Sequence, residues 1–279
     1  MADMLFPKSD LIDVSILING KAIPNDIQII SIYCETGFNL IPMLNLGLSG
    51  PIDDKENNVA PWLNNLDLKA GSQIEVKAGY EGELATIFKG DFMGLTMSLD
   101  DDLGVMVQVD AISPVFKLDL EMDIFHFENT TIKEIVKTLT LEEGFALEED
   151  LEDLPTDDVY FEGTGWELLL EVAEETDRIL VVNHNSIQMV KPTNQSAPVG
   201  TLEVGNNILD MELSLDAFSE DEKERFGEIV IPGTAVVSLN DHISLKGSGK
   251  LFDGDALVVS ITHDMAEGQW ETVLGISMG

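Results

Sequence analysis

Four histidines are the side chains of this sequence best suited to proton transfer or metal binding at neutral pH. They stand at His126, His184, His242 and His263, in separate predicted elements, and none has the spacing of a metal-binding motif. Asp264 could form an acid–base pair with His263, but a histidine at the edge of a strand is the simpler interpretation. The histidines therefore predict neither a catalytic centre nor a metal site.

Clustered aspartates are the second candidate for chemistry. Asp53–Asp54 and Asp100–Asp102 could hold a cation, but they lack the spaced ligands and the glycine of a calcium loop, so turns are predicted. Glycosidase chemistry needs two facing carboxylates. Because 52 acidic residues would supply such a pair by chance, its presence would not indicate this activity. The sequence contains no phosphate-binding loop, dinucleotide fingerprint or nucleophile elbow. We predict no catalytic residue, no cofactor and no metal.

The net charge of −37 limits the classes of partner. Nucleic acids and anionic membranes are bound by clustered Lys and Arg, and this chain has only two arginines, Arg178 and Arg225. Between Asp119 and Asp177 there are 20 carboxylates against Lys133 and Lys137. This region is either a solvated surface kept soluble by repulsion, or a cation site or a face that repels other acidic surfaces.

Targeting signals and cysteine content point to the cytoplasm. Residues 1–10 lack a basic segment followed by an apolar one, so no secretory signal is predicted. No apolar run reaches the length of about 18 residues that a membrane span needs. The one cysteine, Cys34, cannot form an internal disulfide and is predicted to be a small buried apolar residue.

Hydrophobic periodicity predicts an α+β fold that is mostly β. Residues 1–115 contain about six alternating apolar stretches, typical of antiparallel strands, with an Asn19-Gly20 hairpin turn between Leu11–Ile18 and Lys21–Ile32. Residues 116–200 add two helices, and residues 201–279 return to short strands, one of them at Ala235–Leu239. We therefore predict three domains over these ranges.

The helix that begins at Thr164 is the clearest local signal. Thr164 and Glu167 have the spacing of a capping box, and Thr131 and Glu134 repeat it at the other predicted helix. Trp166 shares one helical face with Leu169, Leu170 and Ala173, ahead of a predicted hairpin at Ile179–Val190. We expect Trp166 to be buried between the helix and this hairpin.

Two places in the chain resemble each other. Ile74-Glu-Val-Lys is followed by Phe88-Lys-Gly90-Asp91, and Ile243-Ser-Leu-Lys by Phe252-Asp-Gly254-Asp255. The two copies occupy similar places in their β segments, so we predict a pair of related β-barrels on either side of the helical insert. Phe88, Gly90, Phe252, Gly254 and Trp166 are the residues to which we assign structural or assembly roles.

Several stretches together resemble the hub part of VgrG-type spike proteins, which include the late-control D proteins of phage tails and hub proteins of extracellular contractile injection systems. They are Gly79-Tyr80 with Ile87–Gly90, Phe127–Leu139, Gly165–Leu169 through Lys191-Pro192, and the closing Leu245–Thr272 pattern. The resemblance implies two tube-protein-like antiparallel β-barrels flanking an α+β insert. It implies a homotrimer whose quasi-sixfold ring joins a hexameric inner tube to a threefold spike.

The resemblance also sets the expected partners and location. These are the inner tube protein, a spike tip or spike domain and other baseplate proteins, in a particle assembled in the bacterial cytoplasm and in some systems released. Many members continue into a spike, which is either a separate protein here or missing from this chain. The competing hypothesis is an acidic, halophilic-type enzyme or ligand-binding module, which would need a deep pocket lined by convergent polar groups.

Overall fold

The computed structural model describes residues 11–51, 60–100, 104–142, 144–149, 155–156, 158–184, 186–192, 197–216 and 224–278. Antiparallel strands dominate, with two α-helices and two 3₁₀ helices among these residues, which confirms the predicted α+β, mainly β fold class. The chain forms two compact bodies. The β body comprises 1–36, 43–112 and 193–279, and the α+β body comprises 37–42 and 113–192.

The first half of the β body, called here the first β unit, contains seven strands and the 3₁₀ helix Pro61–Leu66. Its core is a cluster of buried aliphatic side chains, to which Trp62 also contributes. The strands are β1 Ile12–Ile18, β2 Lys21–Ala22, β3 Gln28–Gly37, β4 Met43–Ser49, β5 Gln73–Tyr80, β6 Glu83–Asp100 and β7 Gly104–Ile112.

The α+β body follows, and it packs around Trp166. Its strands form a β8–β10 pair and a three-stranded sheet in the order β11-β12-β9. Its elements are the 3₁₀ helix Pro114–Asp119, β8 Met122–Phe127, α1 Ile132–Glu142, β9 Ala146–Glu149, β10 Val159–Thr164, α2 Gly165–Glu175, β11 Ile179–Asn183 and β12 Ser186–Val190.

The last six strands form the second β unit, with its own aliphatic core. They are β13 Gly200–Glu203, β14 Asp210–Asp216, β15 Glu224–Pro232, β16 His242–Lys246, β17 Gly254–Ala266 and β18 Gln269–Met278. Ala235–Leu239, predicted as a strand, is irregular instead. The predicted long strand Lys21–Ile32 is also wrong, because it is divided into β2 and β3, and β3 pairs with β4 rather than with β1.

The two β units share one strand order. The first runs β3-β4-β7-β6-β5-β1, with the two-residue β2 beyond β1, and the second runs β14-β15-β18-β17-β16-β13. When β2 is left out and the remaining six strands of each unit are numbered along the chain, the two orders are the same. The last pair differs in direction, since β1 and β5 are antiparallel whereas β13 and β16 are parallel.

A β-bulge at the same place fixes the residue equivalence between the units. In β6 it lies between Phe92 and Gly94, and in β17 between Val258 and Ser260. Just before each bulge the same hydrogen bond recurs: Phe92 N–H donates to Ser72 O, and Val258 N–H donates to Asp241 O. Phe92 therefore corresponds to Val258, and Ile74 corresponds to Ile243 because they oppose Gly90 and Ala256.

Candidate assembly surfaces

The joint between the two β units is built by the tip of the β17–β18 hairpin. Strand β17 continues past its short pairing with β16 and becomes a hydrogen-bonded neighbour of β3 in the first β unit. Met265 and Trp270, at the tip, belong to the hydrophobic core of the first β unit. The second β unit therefore completes the core of the first.

Tyr80 and Trp270 stack at this joint, with ring centroids 5.4 Å apart and planes inclined by 18°. Tyr80 Oη also donates a 3.1 Å hydrogen bond to the carbonyl of Gly233. A Cβ atom added at Gly233 would lie 2.1 Å from the Trp270 ring, so only glycine fits there without moving the indole. Aromatic stacking, a satisfied phenol and a close backbone approach together hold the hairpin in place.

The joint also contains the chain's cysteine and one of its histidines, and burial makes both chemically inert. Burial raises the pKa of the Cys34 thiol to about 12, and the backbone N–H of His263, which donates to Sγ, opposes that shift only in part. Burial lowers the pKa of His263 to about 4, and its Nδ1 lies 3.1 Å from Thr272 Oγ1. At neutral pH the imidazole is uncharged and the thiol keeps its proton, so they act as packing groups.

The far half of β6 presents an open, apolar strand edge. Residues 92–100 pair with β7 on one side, and no described strand pairs with residues 93–100 on the other side. Met93, Leu95, Met97 and Leu99 alternate along this stretch and are 51%, 44%, 51% and 74% exposed. Unpaired edges with apolar side chains pair readily with other chains, so this stretch is a candidate docking surface, called here the β6 edge.

The second β unit has an open side of its own at β14. This strand pairs with β15, and no second neighbour is found for it among the described strands. Met211, Leu213 and Leu215 on β14 are half-buried, and Leu209 and Phe226 close by are exposed. We call this surface the β14 edge.

The α+β body carries its acidic groups outward. Every carboxylate between Asp119 and Asp177 whose side chain is described is exposed. A groove of about 370 Å³ between α1, α2 and β10 has an apolar floor that includes Leu168 and Val172, with Asp158, Glu171 and Glu175 at its rim. On the β8–β10 pair, Met122, Ile124 and Tyr160 are also exposed.

Trp166 and the other predicted assembly residues occupy different environments. Trp166 is 6% exposed and lies in the core formed by α2 and the β11–β12 hairpin, which confirms its predicted burial. Phe88 is buried in the first β unit, and Phe252 packs half-buried against the second.

The two predicted glycines differ even more than the phenylalanines. A Cβ atom at Gly90 would lie 2.5 Å from the carbonyl oxygen of Ile112, whereas Gly254 has open space around it and a φ of +147°. Gly90 is needed for a close approach of two strands, and Gly254 for its backbone conformation. Register places Gly90 opposite Ile74 and Gly254 opposite Leu245. The Ile74 and Ile243 parts of the repeat are therefore aligned correctly, whereas the Phe-x-Gly-Asp parts are two residues out of step.

The remaining candidates for chemistry are dispersed. His126 Nε2 lies 3.4 Å from Glu128 Oε1 on an exposed surface, while His242 is buried in the second β unit. Within the described ranges, no group of three or more His, Cys, Asp or Glu side chains could hold a metal ion. Asp53–Asp54 lie outside the described residues and Asp100–Asp102 largely so. Over the same ranges, no helix has the length and apolar character required to cross a membrane.

Comparison with known protein families assigns most of the chain. The family model described as the Alg8 N-terminal domain matches residues 8–225. The chain belongs to the Alg8 N-terminal domain family. A search of curated proteins finds no match.

Solved structures with the same fold include tail proteins. The tail protein from Neisseria meningitidis MC58 matches with a TM-score of 0.74 at 11% identity, covering 96% of both chains. The 43 kDa tail protein of prophage MuSo2 from Shewanella oneidensis matches with a TM-score of 0.72 at 12% identity, covering 95% of this chain and 96% of that one.

A third match connects the fold to secretion. The E. coli c3393 protein is described as a component of the type VI secretion system with structural similarity to the T4 bacteriophage tail proteins gp27 and gp5. Its TM-score is 0.68 at 12% identity, and the match covers 94% of this chain and 76% of that one. At these identities the comparisons establish a shared fold.

Proposed function

We propose that this chain is a non-enzymatic structural protein of a contractile injection machine, the central hub of its baseplate. The observation that carries the proposal is the internal repetition: two β units with the same strand order and the same bulge in one chain. A ring of three such chains contains six equivalent β units. Such a ring offers six similar surfaces to a hexameric tube on one side and threefold symmetry to a spike on the other.

Similarity to solved structures is a second, independent observation that supports this role. The solved structures with this fold include phage tail proteins and a component of a type VI secretion system. We extend that role to this chain and divide it functionally into a first barrel at 1–115, an α+β insert at 116–200 and a second barrel at 201–279. Its partners are two further copies of itself, the inner tube protein, a spike tip or spike domain, and other baseplate proteins.

The charge distribution favours a position of the α+β insert on the outside of the proposed ring. Burying its carboxylates at a subunit interface without basic partners would carry a large desolvation cost. Their exposure in the single chain fits an outward position. The particle is assembled in the bacterial cytoplasm, and this chain inserts into no membrane.

Mass photometry and electron microscopy of the purified protein test the proposal. We expect a species of three times 30.6 kDa whose top views show six lobes, and we expect this species to bind the end of its own system's inner tube. A stable monomer that is absent from imaged baseplates would contradict the proposal. A turnover assay is not needed for this decision, because assembly is the predicted activity.

A further inference from the structure

The β17–β3 pairing within one chain is a complete example of how two β units join. The hairpin formed by β17 and β18 extends beyond its own unit and presents an edge to β3 of the first β unit. At that joint His263 lies beside Cys34, since its backbone N–H donates to Sγ. The donor strand is thus the part of β17 after the bulge, and the acceptor strand is β3, whose counterpart in the second β unit is β14.

Register identifies which residues on the open edges of the chain correspond to the paired strands of this joint. Counting from the shared bulge, Leu95, Met97 and Leu99 of β6 correspond to Ile261, His263 and Met265 of β17. On the acceptor side, Cys34 of β3 pairs with Leu44 of β4, which pairs with Ala111 of β7. In the second β unit, Leu213 of β14 pairs with Gly227 of β15, which pairs with Ile276 of β18. Ala111 and Ile276 are equivalent because they pair with Phe92 and Val258. Leu213 of β14 therefore corresponds to Cys34 of β3.

Burial differs sharply between these equivalent positions. Ile261, His263 and Met265 are 4%, 6% and 6% exposed. Ile261 lies in the core of the second β unit, whereas Met265 lies in the core of the first and His263 packs beside Cys34. Their counterparts on the β6 edge are 44% exposed or more, although all three are apolar. On the acceptor side Cys34 is buried while Leu213 is only half-buried. One donor strand, β17, and one acceptor strand, β3, thus pair within the chain. The equivalent donor strand β6 and acceptor strand β14 have open edges among the described residues.

We propose that the β6 edge of one copy of this chain pairs with the β14 edge of a second copy, reproducing the β17–β3 joint between subunits. The two edges do not pair within one chain, and β15, β18, β17, β3, β4 and β7 lie between them in the sheet order. Each chain thus offers one donor edge and one acceptor edge, and association is head-to-tail. The inference of three copies per ring rests on the proposed function, whereas the strand pairing rests on the register alone.

Disulfide cross-linking tests the pairing at one defined point. Met97 and Leu213 occupy the places of His263 and Cys34, so a chain carrying both Met97→Cys and Leu213→Cys should form an intersubunit disulfide under mild oxidation. We expect covalent species of two and three chains, with no larger ladder because the ring closes. The native Cys34 can stay in place, since its thiol is buried.

The matched control is the pair Ser98→Cys and Leu213→Cys. Ser98 neighbours Met97, but its side chain points to the opposite face of the strand, so this pair should cross-link at least tenfold less. Each single-cysteine variant should give no disulfide-linked trimer. A trimer by mass photometry whose Met97 and Leu213 pair cross-links no better than the control overturns the strand pairing and leaves the hub function standing. A monomer without cross-links overturns both.

Hydrogen exchange on the unaltered chain decides the matter if the cysteine variants do not fold. In the trimer, the amides of 93–99 that face away from β7 should exchange as slowly as those of the equivalent stretch 259–265. The amides at the outer edge of β14 should be protected in the same way. Fast exchange of both stretches within an intact trimer would overturn the proposal.

Discussion

Trp166 shows how one side chain organises the α+β body. It lies in the core between α2 and the β11–β12 hairpin, together with Leu169 and Leu180. Trp166→Ala should therefore lower the free energy of unfolding by ~3–5 kcal/mol, because the surrounding side chains cannot fill the cavity. Chemical denaturation followed by circular dichroism measures this loss. Tyr160→Ala, which removes an exposed aromatic ring from the same body, should change the stability by less than about 0.5 kcal/mol.

His263 predicts a specific response to acid. Its folded-state pKa of about 4 lies below the unfolded value of about 6.5, so the unfolded chain binds the proton more tightly. Stability should be unaffected by this group above pH 6.5, should fall by about 1.4 kcal/mol per pH unit as the pH drops toward 4, and should then level off.

Comparing the pH dependence of stability in the unaltered chain and in a His263 variant separates this effect from the titration of the many carboxylates. The unfolding free energies of the unaltered chain and of His263→Gln should converge by up to about 3 kcal/mol between pH 7 and pH 4, since glutamine has no proton to gain. His126→Gln leaves His263 in place and should therefore keep the loss of stability that His263 causes in acid. A constant gap for His263→Gln would show that the imidazole is protonated as easily in the fold as outside it.

The starts of the two helices show how far nearby side chains determine where and how a helix begins. At α2 both halves of the predicted capping box are present: Glu167 N–H donates to Thr164 Oγ1 and Thr164 N–H donates to Glu167 Oε2. At α1 the N–H of Glu134 donates to Thr131 Oγ1, but the Glu134 carboxylate accepts a bond from Thr130 Oγ1. The same sequence spacing thus gives two different helix starts, because a neighbouring hydroxyl competes for the carboxylate.

Strand β6 offers a matched pair of glycines for testing the close approach of strands. Gly90→Ala would place a Cβ atom 2.5 Å from the Ile112 carbonyl oxygen, and backbone cannot yield cheaply, so a loss of ~1–3 kcal/mol is expected. Gly94→Ala, four residues along the same strand, meets no atom within 4 Å and should be close to neutral. Thermal unfolding of both variants decides this. Equal melting temperatures would mean that the backbone around Gly90 and Ile112 accommodates the added methyl group without loss of stability.

At the scale of the whole molecule, charge is the dominant unbalanced quantity. A net charge of −37 on 279 residues opposes compaction and opposes association of identical chains. Raising NaCl from about 20 to about 300 mM shortens the Debye length from roughly 20 to roughly 6 Å, so both the melting temperature and the trimer fraction should rise. Calorimetry and mass photometry across a salt series measure the two effects.

Divalent salt at matched ionic strength separates screening from a cation site. Screening alone gives CaCl₂ no specific advantage over NaCl. A saturable stabilisation by CaCl₂ at submillimolar concentration would show that carboxylates of the acidic segment form a binding site, contrary to our expectation of a solvated face.

Local signals in the sequence determined the elements that depend on nearby residues. The Asn19-Gly20 turn has positive φ angles at both residues, and the Thr164 cap and the burial of Trp166 are found where the pattern predicts them. Each depends on hydrogen bonds or packing periodicity within a few residues, which a sequence displays directly. The fold class followed from the same periodicity.

Tertiary structure alone decided which strands meet. Residues 28–32 read as the partner of β1, yet they pair with β4 because that arrangement buries Ile32 in the core of the first β unit. The Phe-x-Gly-Asp repeat lies on or beside equivalent strands, but hydrogen-bond register, set by a bulge, displaces its two copies by two residues. Leu99 and Met265 occupy equivalent places after the two bulges, yet Leu99 is 74% exposed and Met265 is 6% exposed, because Met265 packs into the core of the first β unit. Contacts between residues far apart in the chain are chosen by the whole core, which is why no local pattern displays them.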